Sequence, residues 1–142
     1  MVQARTFMAS MMKMMFSVAN NNVFADQLPM TIKSFVSNHF QNRSIEFAEK
    51  NVNSKQFKYE LTLNDGTLLN FNDQGEWTMA TNIVEGVPTS IYPSAINNFV
   101  DSCFPQTKIV TITKKSDGYV VVLSNNLNVK FNNEGLIYGL NN

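Results

Sequence analysis

The chain repeats itself, and that repetition limits its fold more than any other feature. Leu28-Pro29-Met30-Thr31-Ile32-Lys33-Ser34-Phe35-Val36-Ser37-Asn38-His39-Phe40 lies over Tyr92-Pro93-Ser94-Ala95-Ile96-Asn97-Asn98-Phe99-Val100-Asp101-Ser102-Cys103-Phe104 at a shift of 64 residues. Pro, Ile, Phe, Val and the final Phe coincide. The shift then falls to 60, and Tyr59, Leu63, Phe71, Asn72 and Gly75 lie over Tyr119, Leu123, Phe131, Asn132 and Gly135. The first copy therefore has four more residues in one loop, around Asn51 to Gln56. A period of this length is one supersecondary unit used twice. The copies run over 26–80 and 92–142, with a linker at 81–91 that contains Gly86 and Pro88. A total of 142 residues excludes two large domains. An isolated copy of roughly 55 to 60 residues would be marginal, so the two are expected to share a core.

Each copy opens with a helix. Ile32, Phe35, Val36, His39 and Phe40 recur at helical spacing, as do Ile96, Phe99, Val100, Cys103 and Phe104, so each helix presents one apolar stripe. Pro29 and Pro93 stand where a missing backbone N–H has no intrahelical partner to lose. The helices are predicted over 29–40 and 93–104. Strands follow. In Phe57-Lys58-Tyr59-Glu60-Leu61-Thr62-Leu63 apolar and polar residues alternate, as in a half-buried antiparallel strand. Asn64-Asp65-Gly66 supplies a hairpin turn; Thr67, Leu69 and Phe71 continue the inward set, and Asn72-Asp73-Gln74-Gly75 turns the chain into Glu76-Trp77-Thr78-Met79. With a strand near Ile45-Phe47, each copy is a helix followed by four strands. The second copy repeats this at Ile109–Lys114, Tyr119–Leu123, Leu127–Phe131 and Leu136–Leu140. Asn is frequent because such turns need left-handed backbone.

The front of the chain differs from the rest. Residues 1–25 contain Arg5 and Lys13, no acidic residue, and six of the eight Met. Met14-Met15-Phe16-Ser17-Val18-Ala19 is followed by Val23-Phe24-Ala25, the pattern of a secretory signal with cleavage after Ala25. Lys13 interrupts the apolar run, which a true start at Met11 or Met12 would explain. An N-terminal arm on a cytosolic protein and a Met-rich copper site are the competing readings. No later run approaches the roughly 18 apolar residues that span a bilayer, so a periplasmic or secreted protein with no membrane span in the mature chain is expected. The whole chain has 11 basic and 11 acidic residues, and removal of 1–25 leaves 9 and 11. That balance offers no basic field for nucleic acid.

Residues suited to catalysis are scarce. His39 is the sole imidazole and stands where the other copy has Cys103, so both read as packing positions near the end of the stripe. One Cys and one His cannot make a four-ligand zinc site, and a lone Cys cannot form an internal disulfide. The Asn/Asp turns lack the ligand series of an EF-hand loop. No phosphate-binding glycine loop, Gly-x-Ser-x-Gly elbow or His-Glu-x-x-His is present. Neither enzyme activity, a metal nor a cofactor is expected. One asymmetry stands out. The outward set of the first copy is polar at Glu46, Lys58, Glu60 and Thr62, whereas the second has Val110, Val120 and Val122, with Ile112 beside them. Such a face is either covered by the chain itself or binds a partner; as a binding face it would use Val110, Ile112, Val120 and Val122, with Trp77 and Tyr138 as aromatic anchors.

The repeated Pro-x-x-Ile-x-x-Phe-Val helix, the Tyr-x-x-x-Leu strand and the Phe-Asn-x-x-Gly hairpin, the first leading to Trp77, resemble the PepSY-like, beta-lactamase-inhibitor-protein-like family of small exported Bacteroidetes proteins. The resemblance covers residues 28–140. It implies an α+β fold of two tandem helix-plus-four-strand antiparallel repeats with helices on one face of the sheet. It implies no catalytic residues. The inhibitor for which the family is named blocks an enzyme by laying its sheet on it, so a protein partner met by the sheet face or hairpin loops is expected here. A small-ligand or peptide carrier is the alternative. Asn125-Asn126 replaces Asp65-Gly66, and Gln41 replaces Pro105, relative to the other copy.

Overall fold

The computed structural model describes residues 27–51 and 58–141. The expected signal peptide with its cleavage after Ala25, and the longer loop at 52–57, lie outside these residues. The chain forms two compact units that divide between Thr78 and Met79.

In the first unit, helix α1 (Met30–His39) begins after Pro29, whose carbonyl accepts from the amides of Ile32 at 3.1 Å and Lys33 at 3.2 Å. It stops at Phe40, whose amide still reaches the Val36 carbonyl at 2.8 Å, and Asn42 then reverses the chain at φ 67°. The helix is one residue shorter at each end than predicted because Pro29 and Phe40 are its caps. Ile32, Val36 and Phe40 are buried, and Phe35 meets Phe71 edge-on at 5.4 Å between ring centroids.

Strands β1 (Ile45–Lys50), β2 (Tyr59–Leu63) and β3 (Leu68–Phe71) form an antiparallel set, with Ala48 opposite Leu61 and Leu61 opposite Leu69. Leu61, Leu63, Thr67, Leu69 and Phe71 have no accessible surface, as the alternation predicts. Each fully buried large apolar side chain of this kind contributes about 1.5–3 kcal/mol. The turn into β4 (Trp77–Thr81) is held by Asn72, whose Oδ1 accepts from the amides of Gln74 at 3.0 Å and Glu76 at 2.9 Å. Gly75 lies at φ 81°, and a Cβ there would fall 2.0 Å from Thr31 Oγ1. The hairpin is thus tucked against the start of α1. This packing explains why the Phe-Asn-x-x-Gly and Pro-x-x-Ile motifs recur together.

The second unit starts with the end of β4, where Met79, Ala80 and Thr81 stand opposite Thr113, Ile112 and Thr111 of β5 (Ile109–Lys115). A short 3-10 turn at Thr89–Ile91 leads into helix α2 (Ser94–Cys103), capped at Phe104 as α1 is at Phe40. Then come β6 (Gly118–Leu123), β7 (Asn128–Asn132) and β8 (Ile137–Asn141), all antiparallel. Ile96, Ile112, Val121, Leu123, Val129 and Phe131 have no accessible surface, and Phe99 meets Phe131 edge-on at 5.6 Å. Asn126 takes the left-handed place of Gly66, at φ 71° against 91°. Asn125 Oδ1 accepts from the Leu127 amide at 3.1 Å, as Asp65 Oδ1 does from Thr67 at 3.0 Å. The departure in sequence therefore leaves the turn unchanged. Gln106 at φ 73° likewise matches Asn42. Within each unit strand order follows chain order. The fold is α+β, two tandem units of one helix and four antiparallel strands.

Candidate functional site

Val120 and Val122 lie on β6 between Val121 and Leu123, which have no accessible surface, so alternation turns the first pair to the opposite, outer face. Both are half-buried. Across the ladders Val120 stands between Thr113 of β5 and Lys130 of β7, and Val122 between Thr111 and Asn128. The next strand adds Met79 beside Thr113 and Thr81 beside Thr111. Thr81 donates to the Val110 carbonyl at 3.0 Å, so its contact of 2.6 Å with Thr111 is filled by the Thr111 hydroxyl donating. On the other side the stem of Lys130 lies over Gly139, its Cδ 3.4 Å from where a Cβ would stand. The outer face is therefore an apolar stripe along β6, bordered by hydroxyls on one side and by an ammonium and an amide on the other.

Ile112 and Val110 do not belong to it. Ile112 stands opposite Val121 and has no accessible surface, and Val110 is buried as well. The cause is a β-bulge between Ile109 and Thr111, which inserts Val110 and turns Ile112 inward. The first unit has the same bulge, between Ile45 and Phe47. Its outer rows are Phe47-Thr62-Leu68 and Glu49-Glu60-Asn70. The expected contrast of a polar first copy with an apolar second is thus too simple. The first unit places apolar residues on β1 and β3 around a buried Thr62, and the second places them on β6 between polar neighbours.

The two aromatic candidates fall in different settings. Trp77 stacks on Phe35 at 6.3 Å and so belongs to the helix side of the first unit. Tyr138 sits at a bulge between β7 and β8 and is 56% exposed. Sequence reasoning passed over the neighbours of Tyr138: Leu136, Ile137 and Leu140 are 57%, 41% and 51% exposed. Four large apolar side chains within five residues were the available signal.

His39 packs on Phe35 at 4.7 Å between ring centroids, and burial holds its pKa below the ordinary imidazole value. Cys103 is exposed, contrary to its expected packing role. A thiol on one methylene covers less of the stripe's edge than an imidazole does. Among the described residues no group of three or more His, Cys, Asp or Glu is placed to hold a metal ion, and no helix is long and apolar enough to cross a membrane.

The chain belongs to the family described as "Putative beta-lactamase-inhibitor-like, PepSY-like", whose model matches it twice, over residues 7–64 and 57–138. Each match takes in one of the two helices, the first Met30–His39 and the second Ser94–Cys103. Among solved structures it is similar to a "putative calcium-regulated periplasmic protein" from Bacteroides thetaiotaomicron, at 25% identity and a TM-score of 0.80, covering 86% of this chain and 96% of the other. Two further similar structures are from Bacteroides vulgatus, each described as a "putative periplasmic protein". Their identities are 27% and 28%, with TM-scores of 0.76 and 0.75. Each covers 85% of this chain, which in turn covers 95% and 99% of theirs. No curated protein matches the chain.

Proposed function

We propose that the chain is an exported, non-catalytic binding module of the periplasm that occludes a protein partner with the outer face of its second unit. The observation that carries this reading is the half-buried Val120 and Val122 pair, flanked on β5 by Thr111 and Thr113 and on β7 by Asn128 and Lys130. Core residues of binding interfaces are apolar with a polar rim, and this stripe has that order. Tyr138 adds an exposed aromatic of the kind that anchors interfaces. The inhibitor-like family and the periplasmic relatives support the setting.

The similar protein from Bacteroides thetaiotaomicron is described as calcium-regulated. Here Asn72 and Asn132 each already accept two backbone amides with Oδ1, so calcium is a condition to vary in the experiment, not part of the mechanism. The test is capture of envelope proteins by the wild-type chain and by Val120→Lys and Val122→Glu, with circular dichroism on each. Intact folding with loss of a captured protein is the expected result. Unfolding of both variants would show the pair to be structural, and undiminished capture would move the binding site elsewhere.

A further inference from the structure

The strand that follows the Asn-x-x-Gly turn occurs twice, as β4 and as β8. β4 gives its outer edge to β5, with Ala80 opposite Ile112, and both of those residues have no accessible surface. Among the described residues of the second unit β8 is last in order, and Leu140, the counterpart of Ala80, is 51% exposed. Edge strands in contact with water are normally kept short, charged or broken by proline, because their open backbone groups recruit other strands. In the first unit β1 follows that rule, with Glu46, Glu49 and Lys50 and a bulge at Glu46. β8, Ile137-Tyr138-Gly139-Leu140-Asn141, carries no charge and no proline. Its composition resembles the apolar start of β5, the strand that is covered on both edges.

We propose that β8 is a homodimerisation edge, pairing antiparallel with β8 of a second copy about a two-fold axis. The pairing of β4 with β5 supplies the precedent, since β4, the strand equivalent to β8, already accepts an antiparallel strand from the other copy. The choice of β8 over β1 of the second copy follows from charge and closure. A β1 partner would set Glu46, Glu49 and Lys50 along an uncharged apolar strand, and head-to-tail pairing would propagate into filaments. Two β8 edges are self-complementary and close after one step. Removal of residues 1–25 leaves 9 basic and 11 acidic residues, a small net charge that adds little repulsion between copies. The inference does not rest on the role of the Val120 and Val122 stripe, which lies on β6, while Tyr138 and Gly139 belong to β8 itself.

The experiment is sedimentation velocity on the protein recovered from the periplasm, from about 1 μM to about 100 μM, with Leu140→Lys and Leu136→Lys beside it. Affinities of interfaces of ordinary size begin in this range. The wild type is expected to run as a dimer at the upper end. Each variant is expected to raise the dimer dissociation constant at least tenfold with an unchanged circular dichroism spectrum. Leu136 precedes the strand, and its backbone bonds to Asn132 do not involve its side chain, so it remains informative if Leu140→Lys fails to fold. A wild type that stays monomeric throughout overturns the proposal. So does a dimer that both folded variants retain, or a β8-dependent complex with a different protein in place of the homodimer. None of these outcomes bears on capture through Val120 and Val122.

Discussion

The two units agree wherever the backbone must reverse and differ wherever the chain meets its surroundings. Left-handed residues fall at equivalent places, Asn42 with Gln106, Gly66 with Asn126, Gly75 with Gly135. The caps at Phe40 and Phe104, the bulges after Ile45 and Ile109, and the aromatic contacts of Phe35 and Phe99 also coincide. Against that constancy the outer rows exchange polarity, Phe47-Thr62-Leu68 in one unit and Thr111-Val122-Asn128 in the other. The final strands diverge as well: β4 is paired on to β5, while β8 exposes its apolar side chains. Fold is thus carried by what is repeated, and function is to be sought in what is not.

The sharpest way to break the equivalence is to remove its aromatic centres. Phe71 and Phe131 are both without accessible surface, and each receives one helix phenylalanine edge-on. Phe71→Ala and Phe131→Ala are each expected to cost about 3–5 kcal/mol, measured by urea denaturation. If either variant costs less than about a third of the other, the units do not share one core design.

The next effect separates the units. Gly75 and Gly135 have φ of 81° and 85°, and a side chain in such a conformation costs on the order of 1–3 kcal/mol. The added Cβ would fall 2.0 Å from Thr31 Oγ1 in the first unit but 3.0 Å from the Ala95 Cβ in the second. Gly75→Ala is therefore expected to destabilise more than Gly135→Ala. Thr31 is the counterpart of Ala95, so placing Thr31→Ala beneath Gly75→Ala should bring the two costs together. Thermal melts of the three variants check this, and a gap that survives Thr31→Ala would locate the difference outside this contact.

Much of this plan is legible in the repeat. Pro29 and Pro93, the stripe at Ile32, Phe35, Val36 and Phe40, and the alternation at Leu61, Leu63, Leu69 and Phe71 place helices and strands to within a residue or two of their observed ends. What strict alternation cannot register is an inserted residue. Ile45 and Ala48, like Ile109 and Ile112, are three apart yet share the inner face, and that spacing in both copies was the trace of the bulge. Reading period two through it put Ile112 on the wrong face. Nor does alternation within a strand disclose the compensating exchange on β1, β3, β5 and β7, because a row across a sheet depends on register between strands and not on any one of them. Trp77 shows the same limit. Its aromatic character fits an interface anchor or a core plate equally, and only the packing of helix on strand shows it stacked on Phe35.

The smallest expected effect concerns the residues that open each repeat, Leu28 and Tyr92. They are equivalent and both buried, yet only the second can titrate. Burial, with the Asp101 charge as the lesser cause, pushes the Tyr92 phenol up to about 12 from its ordinary 10.0. A raised phenol pKa means that the fold favours the neutral form. Below pH 10 both folded and unfolded chains hold the proton, and the preference is fully present. As pH rises from 10 toward about 12 the unfolded chain ionises first, so stability is lost across that window. Tyr92→Phe keeps the ring and removes the proton. At neutral pH it is expected to change stability by no more than about 1 kcal/mol, and above pH 10 it should lose less than the wild type does. Urea midpoints at neutral pH and across the alkaline window compare the two chains directly. Parallel curves would mean that the phenol is as free to ionise in the fold as in the unfolded chain, and that the second unit, like the first, opens on a residue that only fills space.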